Sequence, residues 1–291
     1  MKLTKQVFPA LLCLLALAAC SLPSTPAPQP TATSITLPPA TEAPAATAPA
    51  AEPTASGEVA LEAILIGSPG FASALTSPVT VSGQSRPTFE QNLVIAIYDE
   101  AGNQIALTPT TIAADAGSPG PFSAELSFSV THEQAGRIAV MEHSAMDGGI
   151  VHLTSIEVTL LPGGSATILP QPVSGENIDI QLPLPNSAIS GGSLTVSGFS
   201  EYYFESTLGL KLCGPGEGSG AADAICGDSH NVLAHTFATI NSPDIGQPGP
   251  FSGTLTWSVS EAVPGRIVVY AESMRDGGIT HLSSIPVLIQ P

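Results

Sequence analysis

The sequence predicts an all-β protein, two tandem β-sandwiches behind a disordered Pro/Thr/Ala-rich linker. Three observations carry that prediction. The first is composition: 28 Gly and 28 Pro are spread through 291 residues, which breaks helices and favours short strands joined by turns. The second is an internal repeat. Val81-Ser82-Gly83 and Phe89-Glu90 recur 115 positions later as Val196-Ser197-Gly198 and Phe204-Glu205. Gly120-Pro121-Phe122-Ser123, Gly136-Arg137-Ile138 and Asp147-Gly148-Gly149-Ile150 with His152-Leu153 recur 129 positions later. The difference of 14 is an insertion in the second copy, between Glu205 and Gly249. Units of this length are domains, since solenoid repeats run about 20 to 50 residues. The third is period-2 patterning: Phe122, Ala124, Leu126 and Phe128 alternate with polar residues.

Taken in chain order, residues 1–19 read as an export signal. Lys2 and Lys5 precede an apolar run from Val7 to Ala19, too short for a transmembrane helix of about 20 residues. The run ends in Leu17-Ala18-Ala19-Cys20, which resembles the bacterial lipobox. That resemblance implies cleavage before Cys20 and its lipidation. The alternative is an ordinary cleaved signal with an incidental Cys. The expected location is the cell membrane, lipid-anchored and facing outside the cytoplasm. Residues 20–58 form the linker: Pro, Ala and Thr dominate, there is no aromatic residue, and an extended, disordered stalk follows.

Residues 59–162 form the first sandwich. Its strands open with Leu61 to Ile66, continue with Pro78 to Ser82, and include the apolar run Leu93 to Tyr98. Arg137 to Met141 and Ile150 to Leu153 flank an Asp-Gly turn, a hairpin signal. A two-residue turn there sets His143 opposite His152, and Glu272 opposite His281 in the second copy, as polar pairs on the solvent face; the alternative is a metal held by the His pair with Asp147 nearby. Phe89 and Phe204 occupy matching positions and are expected in the core. A Pro/Gly-bearing joint, residues 163–174, leads to the second sandwich, residues 175–291. About seven short strands per copy with frequent turns indicate an immunoglobulin-like sandwich. It lacks the inter-sheet Cys pair and the strand-C Trp. Each copy is expected to bury its own core and fold alone.

The ordered motifs from Val-Ser-Gly through Gly-Pro-Phe-Ser to Ser144-Ala145-Met146-Asp147-Gly148 resemble the immunoglobulin-like domain of bacterial spore germination proteins. Ser273-Met274-Arg275-Asp276-Gly277 repeats the last element. The resemblance implies a β-sandwich module on cell-envelope lipoproteins, with no catalytic residue to carry over.

Formal net charge is -17, from 7 basic and 24 acidic residues, which leaves no basic patch for nucleic acid. Of four cysteines, Cys13 is expected to leave with the signal and Cys20 to be lipidated, as the lipobox resemblance implies. Cys213 and Cys226 remain, flanking a Gly-rich stretch inside the insertion, and are expected to form a disulfide in an oxidising compartment. The alternatives are two free thiols, or a zinc site that would need His230 and Asp228 as strained extra ligands. Loss of the bridge is expected to loosen the second copy alone.

No nucleophile elbow, zinc-hydrolase helix motif or repeated carboxylate pair occurs, so the chain is read as non-enzymatic, with no catalytic residue, metal or cofactor. Phe199, Tyr202 and Tyr203 replace Gln84, Pro87 and Thr88 of the first copy. They form a candidate binding patch for an envelope protein or polysaccharide; the alternative is packing against the inserted loop or the other copy. The functional expectation is a lipid-anchored envelope protein presenting two domains for binding or spacing. The rival readings are a purely structural spacer, a sugar-binding module or a hydrolase accessory protein.

Overall fold

The computed structural model describes residues 61–216 and 220–291. The signal segment, Cys20 and the linker lie outside the described residues. Among those described, regular structure consists of strands and three one-turn 3-10 segments. No helix there is long and apolar enough to cross a membrane.

The first copy contributes β1 (Ile64–Ser68), β2 (Ala74–Leu75), β3 (Val79–Ser85), β4 (Asn92–Tyr98), β5 (Gln104–Thr111), β6 (Gly120–Leu126), β7 (Gln134–His143) and β8 (Ile150–Leu160). One sheet runs β1-β3-β6 and the other β5-β4-β7-β8, with β2 parallel to β8. The second copy repeats this order with β9 (Ile178–Leu182), β10 (Ser187–Ile189), β11 (Ser193–Ser200), β12 (Thr207–Cys213), β13 (Ala222–Asp223), β14 (Gly227–Asp228), β15 (Val232–Ile240), β16 (Gly249–Thr256), β17 (Val263–Glu272) and β18 (Ile279–Ile289). Its strands follow in the order β18-β17-β12-β15-β16-β11-β9, with β10 parallel to β18. The insertion forms the loop between β12 and β15, and β13 and β14 make a small hairpin inside it.

Each copy has its own core, built from the inward residues of alternating strands. Ile64, Val81, Ile95, Ile97, Phe122, Ile138 and Val140 fill the first. Ile178, Val196, Leu208, Leu210, Phe251, Ile267 and Val269 fill the second, joined by Trp257. The Trp257 indole N–H donates to the Gln290 carbonyl at 3.1 Å, so burying the ring orphans no donor.

Phe89 and Phe204 depart from expectation. They are 60% and 52% exposed, on one-turn segments where Glu90 and Glu205 take positive φ of 53° and 54°. The left-handed residue turns the chain outward, and the ring preceding it goes with it.

Candidate functional site

In an antiparallel sheet with one wet face, β4 and β7 should alternate apolar and polar. They do not. On β4, Ile95 and Ile97 enter the first core while Val94, Ala96 and Tyr98 face a third apolar cluster. On β7, Ala139 and Met141 do the same. Opposite them in that cluster stand Cys213, Ile225, Cys226, Val268, Tyr270 and Leu282 of the second copy. The unbroken apolar runs therefore mark faces that cover each other. Leu153 of β8 and Leu282 of β18, equivalent positions in the repeat, pair with one another at the centre.

Contacts around that centre are reciprocal. Ser155 Oγ donates to the Thr280 carbonyl at 2.6 Å, and Ser284 Oγ donates to the Val151 carbonyl at 2.6 Å. Arg137 pairs with Asp276 at 3.1 Å, and Arg266 pairs with Asp147 at 2.7 Å. Each guanidinium thus reaches the Asp-Gly turn of the other copy. Both aspartates also hold their own turns: Asp147 Oδ1 accepts from Gly149 N–H at 3.0 Å and Asp276 Oδ1 from Gly278 N–H at 2.9 Å. A side chain at Gly149 or Gly278 would collide with the incoming arginine. The second glycine of each Asp-Gly-Gly motif is thus required by the neighbouring copy, beyond any need of the turn. Burial tends to raise the Asp276 carboxyl, but the Gly278 N–H, Ser273 and Arg137 together hold it below the usual carboxylate range.

A buried polar quartet flanks this centre. Glu62 and Glu176 immediately precede the opening strands β1 and β9; His152 and His281 lie on β8 and β18. His152 Nε2 lies 2.8 Å from Glu62 Oε1 and 3.9 Å from Glu176 Oε1. His281 Nε2 lies 3.2 Å from Glu176 Oε1 and 3.9 Å from Glu62 Oε2. The second oxygens are again held crosswise: Glu62 Oε2 accepts from Asn177 N–H at 3.2 Å, and Glu176 Oε2 from Ala63 N–H at 3.0 Å. Ser283 Oγ donates to Glu176 Oε1 at 2.6 Å. Burial would raise Glu176, but the His281 hydrogen bond, the charges of His152 and His281 and the Ser283 hydroxyl hold its carboxyl down to about 2. Burial would lower His281; the Glu62 charge and the Glu176 contact outweigh it and raise the imidazole. Among the described residues these four side chains are the group of His, Cys, Asp and Glu with donor atoms close enough for one cation.

The expected histidine pairs are thereby corrected. The hairpin turn is six residues, from Ser144 to Gly149, and a bulge follows Glu142. The register therefore places Glu142 opposite His152, and His143 opposite Ile150. In the second copy Ala271, not Glu272, faces His281. His152 and His281 are buried against carboxylates from the opening segments, rather than lying on the solvent face. Sequence reasoning missed Glu62 and Glu176 altogether. One signal was available: each is an acid two positions before an Ile-x-Ile strand, in both copies.

Cys213 and Cys226 form a disulfide, with Cα atoms 5.4 Å apart. Its loop docks on the first copy: Ile150 N–H donates to the Ala224 carbonyl at 2.9 Å, and Cys213, Ile225 and Cys226 share an apolar cluster with Ala139, Met141 and Leu153, while within the second copy Arg266 Nη2 donates to the Ile225 carbonyl. The bridge therefore serves both copies, which corrects the expectation that its loss touches only the second. Phe199 lies on β11 with 44% of its surface exposed. Tyr202 is half-buried. Tyr203 packs against the second core, and burial beside the Glu62, Glu201 and Glu176 carboxylates raises its phenol far above the ordinary range. The three aromatics thus do not share one exposure.

An immunoglobulin-like β-sandwich, used twice and joined across a pseudo-two-fold interface, is what this geometry defines. The comparisons agree for the first copy. Residues 63–149 match the family model described as the immunoglobulin-like domain of bacterial spore germination. No curated protein matches the chain. Solved structures similar to it include a red sea bream transglutaminase, at 11% identity and TM-score 0.27, covering 79% of this chain and 31% of that one. The chain therefore spans under a third of that enzyme's length. The periplasmic chaperone SfaE is similar at 10% identity and TM-score 0.24, covering 77% of this chain and 99% of that one. The E. coli chaperone DraB is similar at 10% identity and TM-score 0.23, with coverages of 76% and 98%.

Proposed function

We propose that this is a non-enzymatic, lipid-anchored cell-envelope protein whose two immunoglobulin-like domains act as one head, presented at the cell surface for binding or spacing. The reciprocal interface carries this reading. Apolar contact at the centre, two buried ion pairs and the docked disulfide loop tie the copies together, as a binding or spacing head requires. The anchor rests on Leu17-Ala18-Ala19-Cys20, and the Pro/Thr/Ala-rich linker supplies reach. With a mature charge of about -19, once Lys2 and Lys5 are removed, the head is repelled by anionic headgroups and needs the lipid to stay at the membrane. The family resemblance, which comes without catalytic residues, supports a non-enzymatic role.

Binding rather than spacing alone is favoured by the exposed Phe199 ring on the second copy, for an envelope protein or polysaccharide partner. Cys20→Ser should abolish lipidation and shift the protein to the aqueous phase in detergent partitioning, or block its processing. Unchanged partitioning with normal processing would remove the anchor from the reading.

A further inference from the structure

We propose that Glu62, His152, Glu176 and His281 form a structural site for one divalent transition-metal ion, zinc by donor set, clasping the two copies together. The spacing of the donors carries the proposal. The His–Glu contacts run from 2.8 to 3.9 Å, Glu62 turning Oε1 to His152 and Oε2 to His281, and one donor atom from each of the four residues lies within 4.8 Å of the others. A tetrahedral shell with donors about 2.0–2.1 Å from zinc has edges of about 3.3–3.4 Å, in the middle of that range. Two of the contacts are too long for hydrogen bonds. A proton on either imidazole therefore serves one carboxylate only, whereas a cation at the centre engages all four groups.

Charge and support point the same way. Glu62, His152 and His281 are buried and the Glu176 side chain is 11% exposed, and a divalent ion cancels both negative charges at once. Arg137 and Arg266 are committed to Asp276 and Asp147, so the only positive charge available to the two carboxylates from within the quartet is that of its own imidazoles. Both imidazoles aim Nε2 at the carboxylates, which leaves that nitrogen of each ring facing the centre of the quartet. The carboxylates are pre-oriented by the N–H groups of Asn177 and Ala63 and by the Ser283 hydroxyl, the kind of outer shell that fixes ligands around an ion. Four protein donors close the coordination shell, so the site is structural and leaves no position for substrate.

The test uses the full-length chain, purified in detergent and freed of metal by chelator. It is titrated with Zn²⁺ alone and, separately, with Co²⁺ alone. Zn²⁺ is expected to bind at one equivalent per chain. At a hundredfold excess over Kd it should raise the folded-to-unfolded ratio about a hundredfold. Co²⁺ should give visible absorption of tetrahedral intensity. Glu62→Gln and Glu176→Gln keep shape but remove the charge and one acceptor oxygen, and each should weaken Zn²⁺ binding at least tenfold. No uptake, or equal uptake by wild type and both variants, would overturn the proposal. Should the variants fail to fold, the wild-type Co²⁺ spectrum decides: a weak octahedral spectrum overturns the site and a tetrahedral one upholds it.

Discussion

Replacing Asp276 by Asn tests the interface at its most buried ion pair. The Arg137 and Asp276 side chains are 2% and 0% exposed, with Nη1 and Oδ1 3.1 Å apart. The guanidinium also lies 5.1 Å from the Tyr98 ring centroid, and its Nε has no partner. Asn keeps an oxygen for the Gly278 N–H, so the turn survives, but the arginine is left charged and uncompensated in the interior. Breaking a buried pair from one side costs about 3–5 kcal/mol. For a folded unit of this size, 3 kcal/mol corresponds to roughly 6–12 °C in Tm. His132 and Glu100, 61% and 50% exposed, provide the control: His132→Ala should cost no more than about 0.5 kcal/mol. A second arm replaces Arg137 by Met in the Asp276→Asn background. Removing the stranded charge should restore most of the loss. Denaturant unfolding followed by tryptophan emission and by far-UV signal gives both numbers. If Asp276→Asn costs under 1 kcal/mol, or Arg137→Met in that background restores nothing, buried charge is not what links the copies.

Reducing the Cys213–Cys226 bridge should cost about 3 kcal/mol in the chain-entropy model for a separation of 13 residues. Hydrogen exchange at the Ile150 amide, which donates to Ala224, should speed up in parallel; protection unchanged there would show that the loop does not hold the first copy. Gly149→Ala should cost about 1–3 kcal/mol by overpacking, because the new methyl meets the Ile225 and Gly227 backbone as well as Arg266. Gly278→Ala meets mainly the end of one side chain and should cost less, and Gly163→Ala, with open space around it, almost nothing; equal losses at all three in thermal melts would contradict the close approach. Glu176 is held down to about 2, so its contribution is whole above the unfolded carboxyl pKa of about 4.3 and is lost as pH falls from there toward 2. In chelator, Glu176→Gln should flatten that acid limb of the stability curve, and an unaltered slope would refute the assignment.

Much of the fold could be read directly. The repeat set the two units, and alternation at Phe122 to Phe128 set a face. The interface was spelled out in the same motifs, yet its meaning was hidden. Arg137 and Asp276 are 139 positions apart, and nothing local says that an arginine in one copy serves a turn in the other. The clue was the failure of β4 and β7 to alternate, which announces burial on both faces. The quartet was lost for a different reason. An Asp-Gly pair reads as a two-residue turn, and a six-residue turn with a bulge moves every side chain opposite it by one position. The fate of Phe89 and Phe204 was set by a positive φ at the following glutamate, a backbone choice that no side-chain pattern encodes.

The pairing of Leu153 with its own counterpart Leu282 has the layout of an isologous dimer. Here both protomers are carried on one polypeptide. Association is therefore governed by the tether's effective concentration and not by mass action, and it persists at any dilution. Fusion also lifts a constraint that binds true dimers, in which every change appears twice. The disulfide loop needed to occur only once, on one side of the axis, so a nearly symmetric body could acquire a single distinct side.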